Sequence, residues 1–233
     1  MRVLLAGGAG GLGKATAELL AGEGWELIVT YLSNAPRAAQ LSSIARVIQA
    51  DITNAADRRR LLLDAAPLNA LVVFAGNPAR VASPDQMEDQ MRVSHEVNYL
   101  GPLLLARETA ELMKAAGEPG SIVLFSTMQG VALFSGSTAY AGAKAALIHG
   151  ARLLAKELRG KTNIRVNVIA PGIIDAGMAQ PSIAAGKYDR YLEDGTIARF
   201  GRPQDIARTV RFLLEPDNYI TGQVIGVDGG ITL

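Results

Sequence analysis

The chain of 233 residues contains no cysteine, two histidines and one tryptophan. The lack of cysteine excludes disulfides, thiolate zinc sites and cysteine nucleophiles, and the two histidines, His95 and His149, are too few for a histidine-rich metal site. We therefore expect no bound metal. Any catalytic chemistry must use other side chains.

The sequence also lacks an excess of charge and a long hydrophobic run. It carries 23 lysine and arginine residues against 22 aspartate and glutamate residues, so we expect neither nucleic acid nor an anionic membrane as a partner. No apolar run approaches the roughly 20 residues that span a bilayer. An apolar stretch from Val3 meets glycines by Gly7, which leaves no room for a signal peptide. We expect a soluble, cytoplasmic protein.

Arg58, Arg59 and Arg60 form a tight basic run. They follow a predicted helix start at Thr53 or Asn54. We expect them to lie on a solvated helix face rather than in a phosphate-binding patch.

Short apolar runs alternate with longer helix-like segments along the chain. The apolar runs lie at 3–6, 26–31, 46–50, 70–75, 121–126, 165–170 and 223–227, and the helix-like segments include 12–22, 84–115, 138–160 and 203–214. This alternation predicts an α/β fold, namely a single doubly wound domain over 1–233 with a seven-stranded parallel sheet flanked by helices. Ligands bind such folds beyond the carboxyl ends of the strands.

The least regular stretch is 173–202, where glycines, a proline and polar residues interrupt any long period. Loops of this length in compact domains are often functional. We expect a substrate-binding loop here, although a plain surface excursion would explain the same pattern.

Glycines follow the first predicted strand and open the first helix. Gly7, Gly11 and Gly13, with Leu12 between the last two, fit a dinucleotide-binding loop, and neighbouring glycines permit other registers. Glycine allows the tight turn and lets backbone amides approach a diphosphate, which the helix N-terminus stabilises. The position predicts a dinucleotide site.

The second strand ends without the acidic residue that usually binds the adenosine ribose of NAD. Tyr31 stands at that position, and the following Ser33 and Asn34, with Arg37 nearby, could bind the 2′-phosphate of NADP. No carboxylate repels a 2′-phosphate here, so the pattern favours NADP, while NAD stays possible. After the third strand, Asp51 is either a helix N-cap, a contact for the adenine, or both.

Tyr140 and Lys144 are four residues apart in an alanine-rich segment, with Thr127 upstream. Four residues apart on a helix, two side chains share a face and reach one ligand. A phenol has a pKa of about 10, and a neighbouring ammonium lowers it toward neutrality. The pair is therefore expected to exchange a proton with a carbonyl or an alcohol.

Taken together, these motifs resemble the short-chain dehydrogenase/reductase family in its compact form, over essentially the whole chain. The motifs are the Gly7, Gly11, Gly13 loop, Asp51 with Ile52, Ala75 with Gly76, Asn98, Tyr140 with Lys144, Pro171 with Gly172, and the terminal segment 219–230. The resemblance implies a Rossmann-like fold and an NAD(P)-dependent oxidoreductase. The pattern is most similar to 3-oxoacyl-thioester reductases.

The resemblance also implies roles for individual residues. Tyr140 would be the general acid or base, Lys144 would hold the nicotinamide ribose, and Asn98 would support a water in the proton relay. Thr127 stands where the family usually has a catalytic serine, with Ser126 as the alternative. Further cofactor contacts are implied at Asp51, Ile52, Ala75, Gly76, Pro171, Gly172 and Ile174.

The chain departs from the family pattern at two further positions. Phe74 replaces an asparagine, a change that we expect to be structural, and Ala176 replaces a threonine that bonds the nicotinamide carboxamide. These departures keep open a second hypothesis, a non-catalytic NADP(H) sensor or scaffold. A third hypothesis is an epimerase or dehydratase. The chain does not have the extra C-terminal length that the substrate domain of such an enzyme needs.

The segments 84–115 and 138–160 are apolar on more than one face. This pattern predicts that a neighbouring subunit covers one face. The family resemblance implies a homotetramer, or a dimer through the same helices.

Overall fold

A computed structural model describes residues 1–160 and 162–233. Seven parallel strands form one sheet in the order β3-β2-β1-β4-β5-β6-β7. The strands are β1 (Arg2–Ala6), β2 (Glu26–Tyr31), β3 (Arg46–Gln49), β4 (Ala70–Val73), β5 (Gly120–Phe125), β6 (Ile164–Pro171) and β7 (Val224–Val227). Each predicted apolar run forms one strand, and the sequence-based fold class is confirmed.

Helices connect the strands and cover both faces of the sheet. They are α1 (Gly11–Gly22), α2 (Ala35–Ala39), α3 (Ala55–Ala65), α4 (Met87–His95), α5 (Gly101–Ala116), α6 (Thr138–Glu157), α7 (Gln180–Ala184), α8 (Arg190–Glu193) and α9 (Pro203–Leu214). The segment 84–115, predicted as one helix, is interrupted by a π-helical turn, Glu96–Leu100, between α4 and α5.

Alternate residues of the strands belong to two separate cores. Leu4, Leu71 and Ile122 face the layer formed by α3, α5 and α6. Their neighbours in sequence face α1 and α9 on the opposite side, as Val72 and Val123 do. Because both faces are covered, the central strands are apolar throughout rather than alternating.

The start of α3 corrects one expectation. Asn54 is the N-cap, since its side chain accepts hydrogen bonds from the amides of Ala56 and Asp57 at 2.9 and 3.1 Å. Asp51 therefore does not cap the helix. Its Oδ1 instead accepts from the amide and the hydroxyl of Thr53, at 2.9 and 2.7 Å, and so closes the turn that precedes the cap.

The strand order places a topological switch point between β1 and β4, because β1 pairs with β2 on one side and with β4 on the other. The connections after these two strands leave in opposite directions and open a crevice at the carboxyl edge. Within residues 1–160 and 162–233, none of the helices combines the length and apolar character needed to cross a bilayer.

Candidate active site

A cavity of about 830 Å³ opens at the carboxyl edge of the sheet. Most of the predicted site residues line it together: Gly7, Gly11, Leu12, Gly13, Asp51, Ile52, Ala75, Gly76, Thr127, Tyr140, Lys144, Pro171, Gly172 and Ile174. Three predicted residues, Ser33, Asn34 and Asn98, lie outside its lining. Residues separated widely in sequence thus form one continuous site.

The glycine loop is shaped by close backbone packing. Gly7 has φ +71°, and a Cβ on Gly13 would lie 2.4 Å from the Cα of Gly8, so neither position accepts a side chain without strain. The amide of Gly7 donates to the hydroxyl of Thr30 at 2.9 Å. Thr30 was not among the predicted site residues. The feature of the sequence that could have indicated Thr30 is its hydroxyl at the end of the otherwise apolar run 27–30.

The first turn of α1 is open toward the cavity. Gly10 precedes the helix, and no side chain caps it. The free amides at this end carry the positive pole of the helix dipole, which favours a phosphate. The glycine cradle and the open helix end therefore fit the diphosphate of a dinucleotide.

The residues after β2 do not all lie where the sequence predicted. Asn34 caps α2 by accepting from the amide of Arg37 at 3.0 Å, and both Ser33 and Asn34 are exposed. Arg37 instead lines the cavity, with its Nη2 3.6 Å from the position of a Cβ on Gly11. Arg37 is thus the cation beside the glycine loop, whereas Asn34 caps α2.

Lys144 lies in α6 and is buried, with 2% of its surface exposed. Its Nζ donates to the backbone carbonyl of Phe125, at the end of β5, at 2.7 Å. Burial lowers the pKa of Lys144 to about 7, because a desolvated ammonium is less stable than the neutral amine. The lysine is therefore near the point at which it loses its charge at neutral pH.

Tyr140 lies one turn before Lys144 and lines the same cavity. Burial raises the pKa of Tyr140 to about 12, since desolvation disfavours the phenolate. The expectation that Lys144 lowers the pKa of Tyr140 is wrong for the protein without a nucleotide. The physical reason is that burial acts on both groups, and the ammonium is bonded to Phe125 instead of the phenol.

Ser126 and Thr127 have different environments. Ser126 is buried, and its hydroxyl donates to the carbonyl of Lys144 at 3.0 Å, which ties β5 to α6. Thr127 is partly exposed in the cavity wall, and its Oγ1 accepts a long hydrogen bond of 3.4 Å from the amide of Gln129. The proton of the Ser126 hydroxyl is already in use, so the geometry favours Thr127 as the hydroxyl that meets a ligand.

Asn98 lies in the π-helical turn and is fully buried. Its Oδ1 accepts from the amide of Asn77 at 2.9 Å, and its Nδ2 donates to the carbonyl of Asn77 and to the hydroxyl of Ser94. The hydroxyl of Ser94 in turn donates to the carbonyl of Ala139 in α6. Asn98 thus fixes the segment after β4 against the helix that carries Tyr140.

The departures at Phe74 and Ala176 both produce close packing. The ring of Phe74 lies 4.6 Å from the ring of Phe125, between the ends of β4 and β5. The methyl group of Ala176 would lie 3.0 Å from a Cβ on Gly11, so the segment after β6 lies directly over the glycine loop. A small residue at position 176 permits this approach.

Comparison with known proteins assigns this chain to a family. A family model described as "Enoyl-(Acyl carrier protein) reductase" matches residues 7–232. The chain belongs to the short-chain dehydrogenase/reductase family. As a member of this family it is an NAD(P)-dependent oxidoreductase that acts on a carbonyl or an alcohol of a small molecule.

The similarity to individual members covers nearly the whole chain. The chain is 34% identical to a 3-oxoacyl-[acyl-carrier-protein] reductase of Rattus norvegicus, over 97% of this chain and 96% of the relative. It is 30% identical to the 3-oxoacyl-[acyl-carrier-protein] reductase FabG of Thermotoga maritima, over 99% and 97%. Among solved structures, a short-chain type dehydrogenase/reductase from Mycobacterium ulcerans matches with a TM-score of 0.89 and 28% identity, over 99% of this chain and 89% of that one.

Proposed function

We propose that this enzyme is an NADP(H)-preferring reductase of 3-oxoacyl thioesters, with Tyr140, Thr127 and Lys144 as its catalytic residues. One observation carries the proposal: these three side chains line the same cavity as the glycine loop. A nucleotide held by the loop and a carbonyl held by the hydroxyls would share this one space.

The proposal assigns the diphosphate to the amides of Gly11, Leu12 and Gly13 at the open end of α1. The remaining cofactor contacts are assigned to Asp51, Ile52, Ala75, Gly76, Pro171, Gly172 and Ile174, all in the cavity wall. When bound, the nicotinamide supplies or accepts the hydride.

Tyr140 is assigned the role of proton donor in the reduction. With a pKa of about 12, its phenol is protonated at neutral pH and can donate to the oxygen of a carbonyl that is being reduced. Thr127 orients that oxygen through its hydroxyl. Lys144 is assigned to the ribose hydroxyls, and Asn98 to the support of a water, through the segment that it fixes after β4.

The preference for NADP(H) rests on Arg37. This guanidinium lines the cavity beside Gly11, and the residues from Tyr31 to Asn34 include no carboxylate that would repel a 2′-phosphate. Ser33 and Asn34, which the sequence suggested for the same role, are exposed and lie outside the cavity lining.

The substrate class rests on the relatives and on the segment 173–202. Both curated relatives described above are named 3-oxoacyl-[acyl-carrier-protein] reductases. Part of the segment contributes to the cavity wall, namely residues 173–174, 176–180, 182 and 187–188. We assign this segment, within a single domain over 1–233, as the substrate loop.

We also infer a homo-oligomer, a tetramer or a dimer, through the long helices. Met91 and Val93 of α4 are 47% and 41% exposed, and Leu153 of α6 is 48% exposed. Apolar side chains on adjacent helices suit a symmetric interface. Multi-angle light scattering tests this inference, and a monodisperse monomer would contradict it.

The experiment for the function combines binding and turnover. Fluorescence titration with NADPH and with NADH is followed by a panel of carbonyl substrates that includes 3-oxoacyl thioesters. We expect tighter NADPH binding, and reduction of the thioesters. Tight binding without turnover across the panel would support the sensor alternative, and failure to bind either nucleotide would contradict the whole assignment.

The variant Tyr140→Phe sharpens this test. It should abolish nearly all turnover and leave the Kd for NADPH within about twofold, because it removes one hydroxyl and no phosphate contact. Tyr219→Phe is the matched control, since Tyr219 is fully exposed. Full activity in Tyr140→Phe would refute the catalytic role.

A further inference from the structure

Arg58 is a buried cation, with 4% of its surface exposed. It occupies the same helical face of α3 as the buried residues Leu61, Leu62 and Ala65. This finding corrects the expectation of a solvated face for Arg58. A charge in such a position is costly unless its donors are all directed to acceptors, and an apolar side chain would pack there at a lower cost.

The donors of Arg58 reach two different elements. Its Nε and Nη2 bind the carboxylate of Glu108 in α5 at 3.0 to 3.1 Å. Its Nη1 donates to the backbone carbonyls of Ile52 and Thr53, at 3.0 and 3.2 Å. The guanidinium therefore joins α5 to the turn between β3 and α3.

The same turn forms part of the cavity wall. Asp51, Ile52 and Thr53 all line the cavity, and two of them, Ile52 and Thr53, accept hydrogen bonds from Arg58 through their backbone carbonyls. The amide of Asp51 donates to the carboxylate of Asp57 at 2.8 Å, so the residue next to Arg58 holds the other end of the turn. Two residues of the first turns of α3, Asp57 and Arg58, thus hydrogen-bond to the backbone of this wall.

The helix that carries Glu108 also lies close to the turn. A Cβ on Gly101, the first residue of α5, would lie 3.2 Å from the carbonyl oxygen of Ile52. Without Arg58, that carbonyl would face a tightly packed helix and would lack its charged donor. Loss of the guanidinium would therefore let the turn rearrange.

We propose that Arg58, supported by Glu108, is a positioning residue that fixes the Asp51–Thr53 wall for the adenine end of the nucleotide. The inference rests on the proposed function, in which Asp51 and Ile52 of this wall contact the cofactor, with the adenine at Asp51. It predicts that the ion pair affects nucleotide affinity and not the chemical step, since neither residue lines the cavity near Tyr140.

The test is Arg58→Met, which keeps the length of the side chain and removes its donors. The Kd for NADPH, measured by fluorescence titration, should rise about tenfold, as expected for carbonyls that lose a charged partner. The kcat at saturating NADPH should stay within about twofold. Adenosine 2′,5′-bisphosphate should bind more weakly by a similar factor, whereas nicotinamide mononucleotide should bind as it does to the wild type.

Two milder variants cover the case in which Arg58→Met does not fold. Arg58→Lys keeps the charge but loses the fork of donors, and Glu108→Gln keeps a hydrogen bond at a side chain that is 37% exposed. Each should raise the Kd for NADPH about threefold. The control is Arg46→Met, which removes an exposed ion pair with Asp64 at the other end of α3 and should change neither constant.

The outcomes separate this inference from the proposed function. If the wild type binds no nucleotide, the proposed function itself fails. If the wild type binds NADPH and the folded Arg58 and Glu108 variants bind it equally well, only the positioning role is overturned. A fall in kcat without a change in Kd, or an equal loss for both fragments, would also overturn it.

Discussion

The ammonium of Lys144 and the carbonyl of Phe125 form a buried hydrogen bond of 2.7 Å between α6 and the end of β5. A carbonyl dipole is a weaker partner for a buried cation than a carboxylate, and burial accordingly lowers the pKa of Lys144 to about 7. The helix that carries Tyr140 and Lys144 is thus joined to the sheet through a group whose charge changes near neutral pH.

This finding predicts how stability depends on pH. The lysine has a pKa of about 10.5 in the unfolded chain and about 7 in the folded one, so between these values the unfolded chain binds more protons. Raising the pH from 7 toward 10 should therefore stabilise the folded state, by up to about 1.4 kcal/mol per pH unit from this group. Below pH 7 both states are protonated and the contribution is constant.

Urea unfolding at pH 6.5, 8 and 9.5 measures the effect, with Lys144→Met as the reference that lacks it. The free energy of unfolding of the wild type should rise relative to that of Lys144→Met across this series. Parallel curves for the two proteins would show that Lys144 keeps an ordinary pKa in the folded state.

A methyl group at position 13 should disrupt the glycine loop. A Cβ on Gly13 would lie 2.4 Å from both the Cα and the carbonyl oxygen of Gly8, and these backbone atoms cannot move without opening the turn. Gly13→Ala should raise the Kd for NADPH more than tenfold and lower the free energy of unfolding by about 1–3 kcal/mol. Fluorescence titration and urea unfolding measure the two effects.

Gly22→Ala is the matched control in the same helix. A Cβ on Gly22 has no neighbour within 4 Å, so this change should leave nucleotide affinity intact and stabilise the protein by up to about 1 kcal/mol. Equal effects of the two substitutions would refute the steric explanation for the loop.

Arg37→Gln should reduce the discrimination between nucleotides. If Arg37 pairs with a 2′-phosphate, its loss removes a charge-assisted contact that NADH never makes. The Kd for NADPH should rise about tenfold or more, and the Kd for NADH should stay within about twofold. Arg59→Gln, an exposed change in α3, should alter neither value. A parallel loss for both nucleotides would place Arg37 at a shared part of the cofactor.

Asp205, in the first turn of α9, should contribute to stability just beyond the segment 173–202. Its carboxylate accepts from Arg199 Nη1 at 2.7 Å, from the amide of Arg202 at 2.7 Å and from Arg208 at 2.6 Å. The hydrogen bond from Arg199 is the main reason that the pKa of Asp205 lies well below its usual range. Asp205→Asn should lower the free energy of unfolding by about 1–2 kcal/mol at pH 7.

The effect of Asp205 has a defined pH dependence. Because its pKa is lower in the folded chain, its stabilisation is complete above the unfolded value of about 3.9 and declines as the pH falls below that value. Chemical unfolding at pH 7 and pH 3 compares the wild type with Asp205→Asn, and the exposed Asp217→Asn serves as the control. A difference that does not shrink at pH 3 would contradict this account.

The strands, and the gathering of most candidate site residues around one cavity, could be predicted because they depend on local patterns. Continuous apolar runs such as 70–73 leave no other place for a strand than the centre of the sheet, and glycines after β1 have a steric reason to be there. Tyr140 and Lys144 share a face because of helix geometry alone. These features need no knowledge of what packs against them.

The properties that depend on distant contacts could not be predicted in the same way. The pKa of Tyr140 was expected to fall, but it rises because surrounding elements bury the phenol. Arg58 was expected on a solvated face, although its spacing from Leu61, Leu62 and Ala65 is the pattern of a buried one. That pattern was available in the sequence, whereas the partner that makes the burial possible, Glu108, is not apparent from it.

The close approach of Ala176 to Gly11 has a consequence for how the protein is made. The glycine loop is synthesised early, but its other wall, the segment after β6, is added only when most of the chain has been translated. A nascent chain therefore cannot enclose a dinucleotide until its later strands have been added to the sheet. Nucleotide binding would in this way stabilise the finished molecule and leave every shorter intermediate without that protection.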